Sequence, residues 1–187
     1  MANKVEFGIS ELHVGTYEES AGTVTLGTPY AQKGAVSFAP EEQQEQNTFY
    51  ADNVAYWSGY SGGTLEGDLE VAKFDDAFKT QFLGYVSLAD GGLANVKNAV
   101  KPNVYIAFQV EGDAESRRVI LYNCSLGAIT REFNTIEESK EPATETLSVT
   151  CIGDVPTGVT VASYKPGDSG YDDLFTNPAA PEIESES

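Results

Sequence analysis

A few groups of residues in this chain have types and spacings that could do chemistry. Gly59-Tyr60-Ser61-Gly62-Gly63 fits the G-x-S-x-G turn that presents a serine nucleophile. Such a serine needs a strand before it, a helix after it, and a histidine later in the chain to take its proton. The single histidine, His13, lies upstream, and the residues after Gly63 alternate like a strand. The segment therefore reads as a glycine-rich hairpin tip. His13 alone cannot build a His-rich metal site and reads as a half-exposed strand residue. Cys124 and Cys151 belong to no C-x-x-C pair and have no histidine cluster beside them, which argues against zinc. Two buried thiols are the expected state, and a disulfide between paired strands stays open.

Two further patterns lead nowhere catalytic. Gly167-Asp168-Ser169-Gly170-Tyr171-Asp172-Asp173 is rich in carboxylates but lacks the alternating acids and distal glutamate of a calcium loop, so it reads as a surface turn. Asn123-Cys124-Ser125 is a glycosylation sequon. The leading Met1-Ala2-Asn3-Lys4-Val5-Glu6 has no apolar core of a signal peptide, so the sequon reads as chance and synthesis is expected in a cytoplasm. No phosphate-cradling glycine loop with a lysine and no cofactor fingerprint is present. The expectation is a protein that is not an enzyme, with no catalytic residue, no cofactor and no metal.

The aromatic stretch from Phe49 to Tyr60 stands apart. Phe49, Tyr50, Tyr56, Trp57 and Tyr60 fall between a polar run and a glycine turn. Such a cluster can be core, a sugar platform or the anchor of a protein interface. Its place beside long loops favours a self-assembly interface for those not in the core.

The elements that must position these residues are mostly strands. Lys4 to Ile9 alternates, with Val5, Phe7 and Ile9 on one face; Ala35 to Phe38 is a short strand closed by Pro40. From Thr64 to Ala72, Leu65, Gly67, Leu69 and Val71 face one way and Glu66, Asp68 and Glu70 the other, as in a sheet with one side in water. Val104–Val110 and Arg118–Leu126 form a hairpin around a turn at Gly112-Asp113-Ala114-Glu115, and Glu145–Ile152 is a last strand. One short helix starts at a cap from Asp75 or Asp76, carries Phe78 and Phe82 on one face, and ends at Gly84. Residues 10–34, 40–48 and 127–144 read as loops, and the stretch from Asn177 onward as a disordered acidic tail. The pattern predicts a mainly β, α+β domain with the helix covering a β core.

The 187 residues carry a formal charge of −18. Residues 1–70 hold 11 acids and 2 bases, residues 71–153 hold 11 and 8, and residues 154–187 hold 7 and 1. An acidic surface does not neutralise phosphates and is repelled by anionic lipid, which argues against specific nucleic-acid or membrane binding. It keeps a concentrated protein soluble.

Several segments in order carry a resemblance. They are Met1-Ala2-Asn3-Lys4-Val5-Glu6-Phe7-Gly8, Phe49 through Tyr56, Gly67-Asp68-Leu69-Glu70-Val71-Ala72 and Phe82-Leu83-Gly84. Gly112-Asp113 with Arg117 through Cys124, and Pro142 through Leu147, complete the set. Together they resemble the major tail tube protein of long, non-contractile-tailed bacteriophages of Gram-positive bacteria, over residues 1–152. The resemblance implies a β-sandwich or barrel-like core with one flanking helix and long loops. It further implies hexameric rings stacked into a tube in the virion tail, assembled in the host cytoplasm. Genomic DNA would pass through that tube during ejection without specific binding. Tape measure, tail terminator and distal tail or baseplate proteins would be the partners, with no membrane. By position, residues 40–63 are the expected arm to a neighbouring ring, and Glu66, Asp68 and Glu70 are candidates to line the lumen. Residues 1–152 would form the tube domain, 153–176 an extension, and 177–187 the tail. The competing readings are a capsid decoration or baseplate protein, and a carbohydrate-binding module using Tyr56, Trp57 and Tyr60.

Overall fold

Alternation over residues 145–151 is strict: Glu145, Leu147, Val149 and Cys151 are buried while Ser148 is exposed. A period of two with one apolar face dictates a strand packed on one side. The same logic recurs along most of the chain. The computed structural model describes residues 8–51, 54–112, 115–131 and 143–184, with residues 45, 49–51, 54–57, 60 and 61 described by their backbone alone.

In chain order the strands are β1 (Gly8–Ser20), β2 (Thr23–Leu26), β3 (Tyr30–Ala31), β4 (Ala35–Phe38), β5 (Glu41–Ala51) and β6 (Val54–Val71). The helix α1 (Asp76–Phe82) follows, then β7 (Val86–Ser87), β8 (Leu93–Ala94), β9 (Val104–Glu111), β10 (Arg118–Arg131), β11 (Glu145–Cys151) and β12 (Val161–Tyr164). A 3-10 turn at Asp172–Phe175 comes last. The fold is mainly β with one short helix. The main sheet runs β2-β1-β9-β10-β11-β6-β4, with β3 on β1, β5 on β6 and β12 on β10; β7 and β8 pair separately.

β10 connects the two halves of this sheet. Its first part pairs with β9 and β12, and from Cys124 onward it pairs with β11. The change of partner falls at Asn123, whose φ of 53° is one an asparagine tolerates better than most residues. The Asn123 side chain holds the turn, with Nδ2 donating to the Gly153 carbonyl at 3.0 Å and Oδ1 accepting from Asn103 at 2.9 Å. The sequon is thus a structural corner, with its amide buried.

Two cores result, one on each face of β9. Val104, Ile106 and Phe108 join Leu12, Val14, Leu69, Val71, Leu147 and the helix residues Phe78 and Phe82. Tyr105 and Ala107 face the other way and join Tyr17, Ile120, Tyr122 and Leu174. Each fully buried phenylalanine contributes about 2–3 kcal/mol of transfer free energy. Phe78 and Phe82, one helical turn apart, pack with their rings tilted and centroids 5.1 Å apart. Gly84 follows the helix at φ 69°, where a Cβ would meet Ala99 Cβ at 2.7 Å.

Several expectations need correction. Residues 10–34 are not a loop: they hold most of β1, then β2 and β3. A bulge between Ser10 and His13, with Glu11 at φ 50°, breaks the period of two and hides the strand from pattern reading. Residues 41–48 are strand as well, because β5 pairs with β6 and needs no core of its own. Asp75 is the residue at the helix N-terminus, yet its side chain makes no cap; it accepts from the Tyr30 hydroxyl at 3.1 Å. Cys124 and Cys151 are not free thiols. They lie directly opposite one another on β10 and β11 and form a disulfide, S–S 2.22 Å. The expected strand over Lys4–Phe7, the turn residues Asp113 and Ala114, and residues 132–142 lie outside the described residues.

Candidate assembly surfaces

The residues expected to anchor an interface sit on a two-stranded arm. β5 runs antiparallel to β6, with rungs from Glu41↔Glu66 to Ala51↔Val54. The last rung β6 shares with β11 is Leu65↔Cys151. Beyond it, residues 54–64 of β6 have β5 as their strand partner. Eleven residues of strand span roughly 35 Å. In the backbone register Phe49 stands opposite Trp57, Tyr50 opposite Ala55, and Tyr60 opposite Gln46. Tyr56 falls at the register shift between the first two of these rungs. Glycine makes the crossing at the base feasible: a Cβ on Gly63 would lie 1.5 Å from the Gln43 carbonyl oxygen, and one on Gly67 would lie 2.6 Å from that of Ala39. Ser61, opposite Glu45, has strand on both sides, so the glycine-serine motif forms no nucleophile turn.

The acidic residues of β6 occupy the face away from the core. Leu69 and Val71 are buried, whereas Glu66 and Asp68 are exposed and Glu70 is half-buried. Glu70 accepts from Ser37 at 3.2 Å and from Thr144. Glu41 faces Glu66 across one rung, a like-charge pair that opposes pairing and concentrates negative potential. With Ser148 and Thr150 on β11, these carboxylates make one polar strip.

A third feature lies in the C-terminal segment. The segment after Gly153 returns across the second face of β9 and β10. Buried Asp154 accepts from the Tyr17 hydroxyl at 2.9 Å and from the Thr157 amide at 3.1 Å. β12 then pairs with Arg118–Leu121, and Leu174 enters the second core. The Phe175 ring slots between two side chains, stacking on His13 at 4.5 Å and lying 4.3 Å from the Arg118 guanidinium. Tyr171 covers the same guanidinium at 4.2 Å, and its carbonyl accepts from Arg118 at 2.6 Å. His13 on β1 and Arg118 on β10 flank β9, where His13 stands opposite Ala107 and Arg118 opposite Gln109, one rung of that face apart. The one sequence signal is the i, i+3, i+4 spacing of Tyr171, Leu174 and Phe175.

Burial pushes the Tyr105 and Tyr122 hydroxyls well above the ordinary tyrosine range, and Tyr17 and Tyr30 rise for the same reason. Lys101 is lowered by burial and donates to the carbonyls of Leu126, at 3.1 Å, and Gly127. Among the described residues, no group of three or more His, Cys, Asp or Glu side chains converges. Asp168 accepts from the Lys165 amide at 2.7 Å within the turn that carries it.

No curated protein matches the sequence. Among solved structures, the tube-terminating cap of an anti-feeding prophage superposes with a TM-score of 0.50 at 10% identity, over 86% of this chain and 93% of that one. The sheath-tube complex of an extracellular contractile injection system, in its extended state, gives 0.48 at 12% identity, over 86% and 94%. At such identity the first likeness is one of fold. Sequence gives the sharper result: residues 2–154 match the phage tail tube protein family, to which this chain belongs.

Proposed function

We propose that this chain is the repeating subunit of a non-contractile phage tail tube, assembling with copies of itself into rings, six to a ring, that stack head to tail. The observation that carries this reading is the β5–β6 arm, which leaves the sheet beyond Leu65 and pairs with itself. A patch that meets a different patch on the next copy generates an open, repeating assembly. The arm's aromatic residues Phe49, Tyr50, Tyr56, Trp57 and Tyr60 are the anchors of that contact. The strip formed by Glu66, Asp68 and Glu70 faces the lumen, where it repels passing DNA rather than holding it. Tape measure, terminator and distal tail proteins meet the two ends of the tube, which is built in the host cytoplasm and carried in the virion.

Electron microscopy of the purified full-length chain at high concentration tests the reading. Stacked rings of uniform diameter are expected. A chain that stays monomeric at every concentration, alone and with its terminator, counts decisively against it. Glycan binding by the monomer, lost on Trp57→Ala, would favour the carbohydrate-module alternative instead.

A further inference from the structure

We infer that the segment between α1 and β9 is the docking surface for the acidic arm of a second copy of this chain, an inference that rests on the tail-tube reading. Residues 84–101 present Val86, Leu88, Val96 and Val100 to solvent, the last at 91% exposure. Four exposed aliphatic side chains within one short segment are a concentration of apolar surface that water does not favour.

The segment is held in shape rather than loose. β7 pairs with β8 through Val86↔Ala94 and Ser87↔Leu93. Leu88 donates to the Gly92 carbonyl at 2.7 Å, and Ala99 to that of Val96 at 3.2 Å. Close packing of Gly84 on Ala99 tethers the start of the segment, and the Lys101 ammonium on the Leu126 and Gly127 carbonyls tethers its end. A preorganised patch loses little entropy on binding.

Charge selects the occupant. Residues 84–101 carry Lys97, Lys101 and one acid, Asp90, a formal +1 within a chain of −18. Residues 34–72, which include the whole arm, carry seven acids and no base, with five aromatics between Phe49 and Tyr60. The arm is thus apolar and strictly acidic, and the segment apolar and weakly basic. Opposite charge around an apolar centre favours this pairing over contact between two acidic faces. Because the arm's strand pairing beyond Leu65 is with itself, its flank stays available to another molecule.

Zero-length carbodiimide cross-linking of assembled full-length chain, from a mixture of isotope-labelled and unlabelled copies, tests the inference. Lys97 is expected to join one of the arm carboxylates Glu42, Glu45 or Asp52 of another copy. Val100→Asp, at a position that packs against little in the monomer, is expected to leave the thermal midpoint unchanged and to raise the concentration needed for assembly about tenfold or more. Tubes in which Lys97 joins other carboxylates, or a Val100→Asp chain that assembles as well as the parent, overturn the inference and leave the tube reading standing. A chain that never self-associates overturns the tube reading first and this inference with it. The cross-link pattern needs no variant, so a misfolded substitution does not remove the test.

Discussion

The Phe175 ring lies 4.5 Å from the His13 imidazole with the two planes 13° apart, although 162 positions separate them in the chain. Arg118 covers Phe175 at 4.3 Å, so the ring clasps the C-terminal segment to the sheet. Phe175→Ala should cost about 2–3 kcal/mol, since it removes a packed ring and a guanidinium contact. Arg118→Lys keeps the charge but loses the flat face, and should cost about 1 kcal/mol. Hydrogen exchange should show Val161–Tyr164 losing protection before the strands of the first core do. Uniform loss across both cores would refute a separable clasp.

Glu145 is buried at the helix side of β11, where its carboxylate accepts from the Phe74 amide at 2.9 Å and pairs with Arg131 at 2.7 Å and Lys79 at 3.8 Å. Removing one partner of a buried ion pair leaves the other uncompensated. Glu145→Ala should cost about 3 kcal/mol in urea denaturation, and Glu145→Leu combined with Lys79→Met should recover part of that loss. A double variant as unstable as the sum of the singles would show that the charges do not interact.

The Cys124–Cys151 disulfide closes a loop of 27 positions. Loop-closure entropy predicts about 3 kcal/mol of stabilisation. Alkylation of the denatured chain should label neither cysteine without reductant and both with it, and reduction should lower the denaturation midpoint. Labelling without reductant would remove the bond from this account.

Tyrosine burial sets an alkaline limit. Tyr105 and Tyr122 have hydroxyls raised above 10.0 by burial, and Tyr105 also donates to the Gly27 carbonyl at 2.8 Å. Below about pH 10 both groups are neutral in the folded and unfolded chain, so they add no pH dependence there. Above that value the unfolded chain ionises first, and stability falls as pH rises. Denaturation midpoints from about pH 8 to about 11 should stay level and then drop, less steeply in Tyr105→Phe/Tyr122→Phe.

Glu66 and Asp68 are exposed on the strip assigned to the lumen. Glu66→Lys/Asp68→Lys should leave tubes intact and slow DNA ejection, because lysines bind phosphate where carboxylates repel it. Ejection at the parental rate from tails of normal length would place the strip elsewhere.

The strand faces and the helix can be read from the residues alone. Leu65, Leu69 and Val71 against Glu66 and Asp68 fix which side of β6 packs, Phe78 and Phe82 fix the helix face, and Gly84 fixes its end. Such features depend on neighbours two to four positions apart, so local pattern suffices. The acidity of residues 34–72 and the aromatic cluster within them were equally legible.

The rest follows from contacts between distant parts of the chain. Whether a polar run such as Glu41–Thr48 is loop or strand depends on β6 offering it a partner. That Cys124 meets Cys151, or that Phe175 fills the gap between His13 and Arg118, depends on register and strand order, which a period of two leaves open. The bulge at Glu11 and the corner at Asn123 erase the pattern where the chain changes direction. The second core was hidden for the same reason. Tyr105 and Ala107 are buried because a segment some 50 or more positions downstream covers them, and no local alternation records that distant cover.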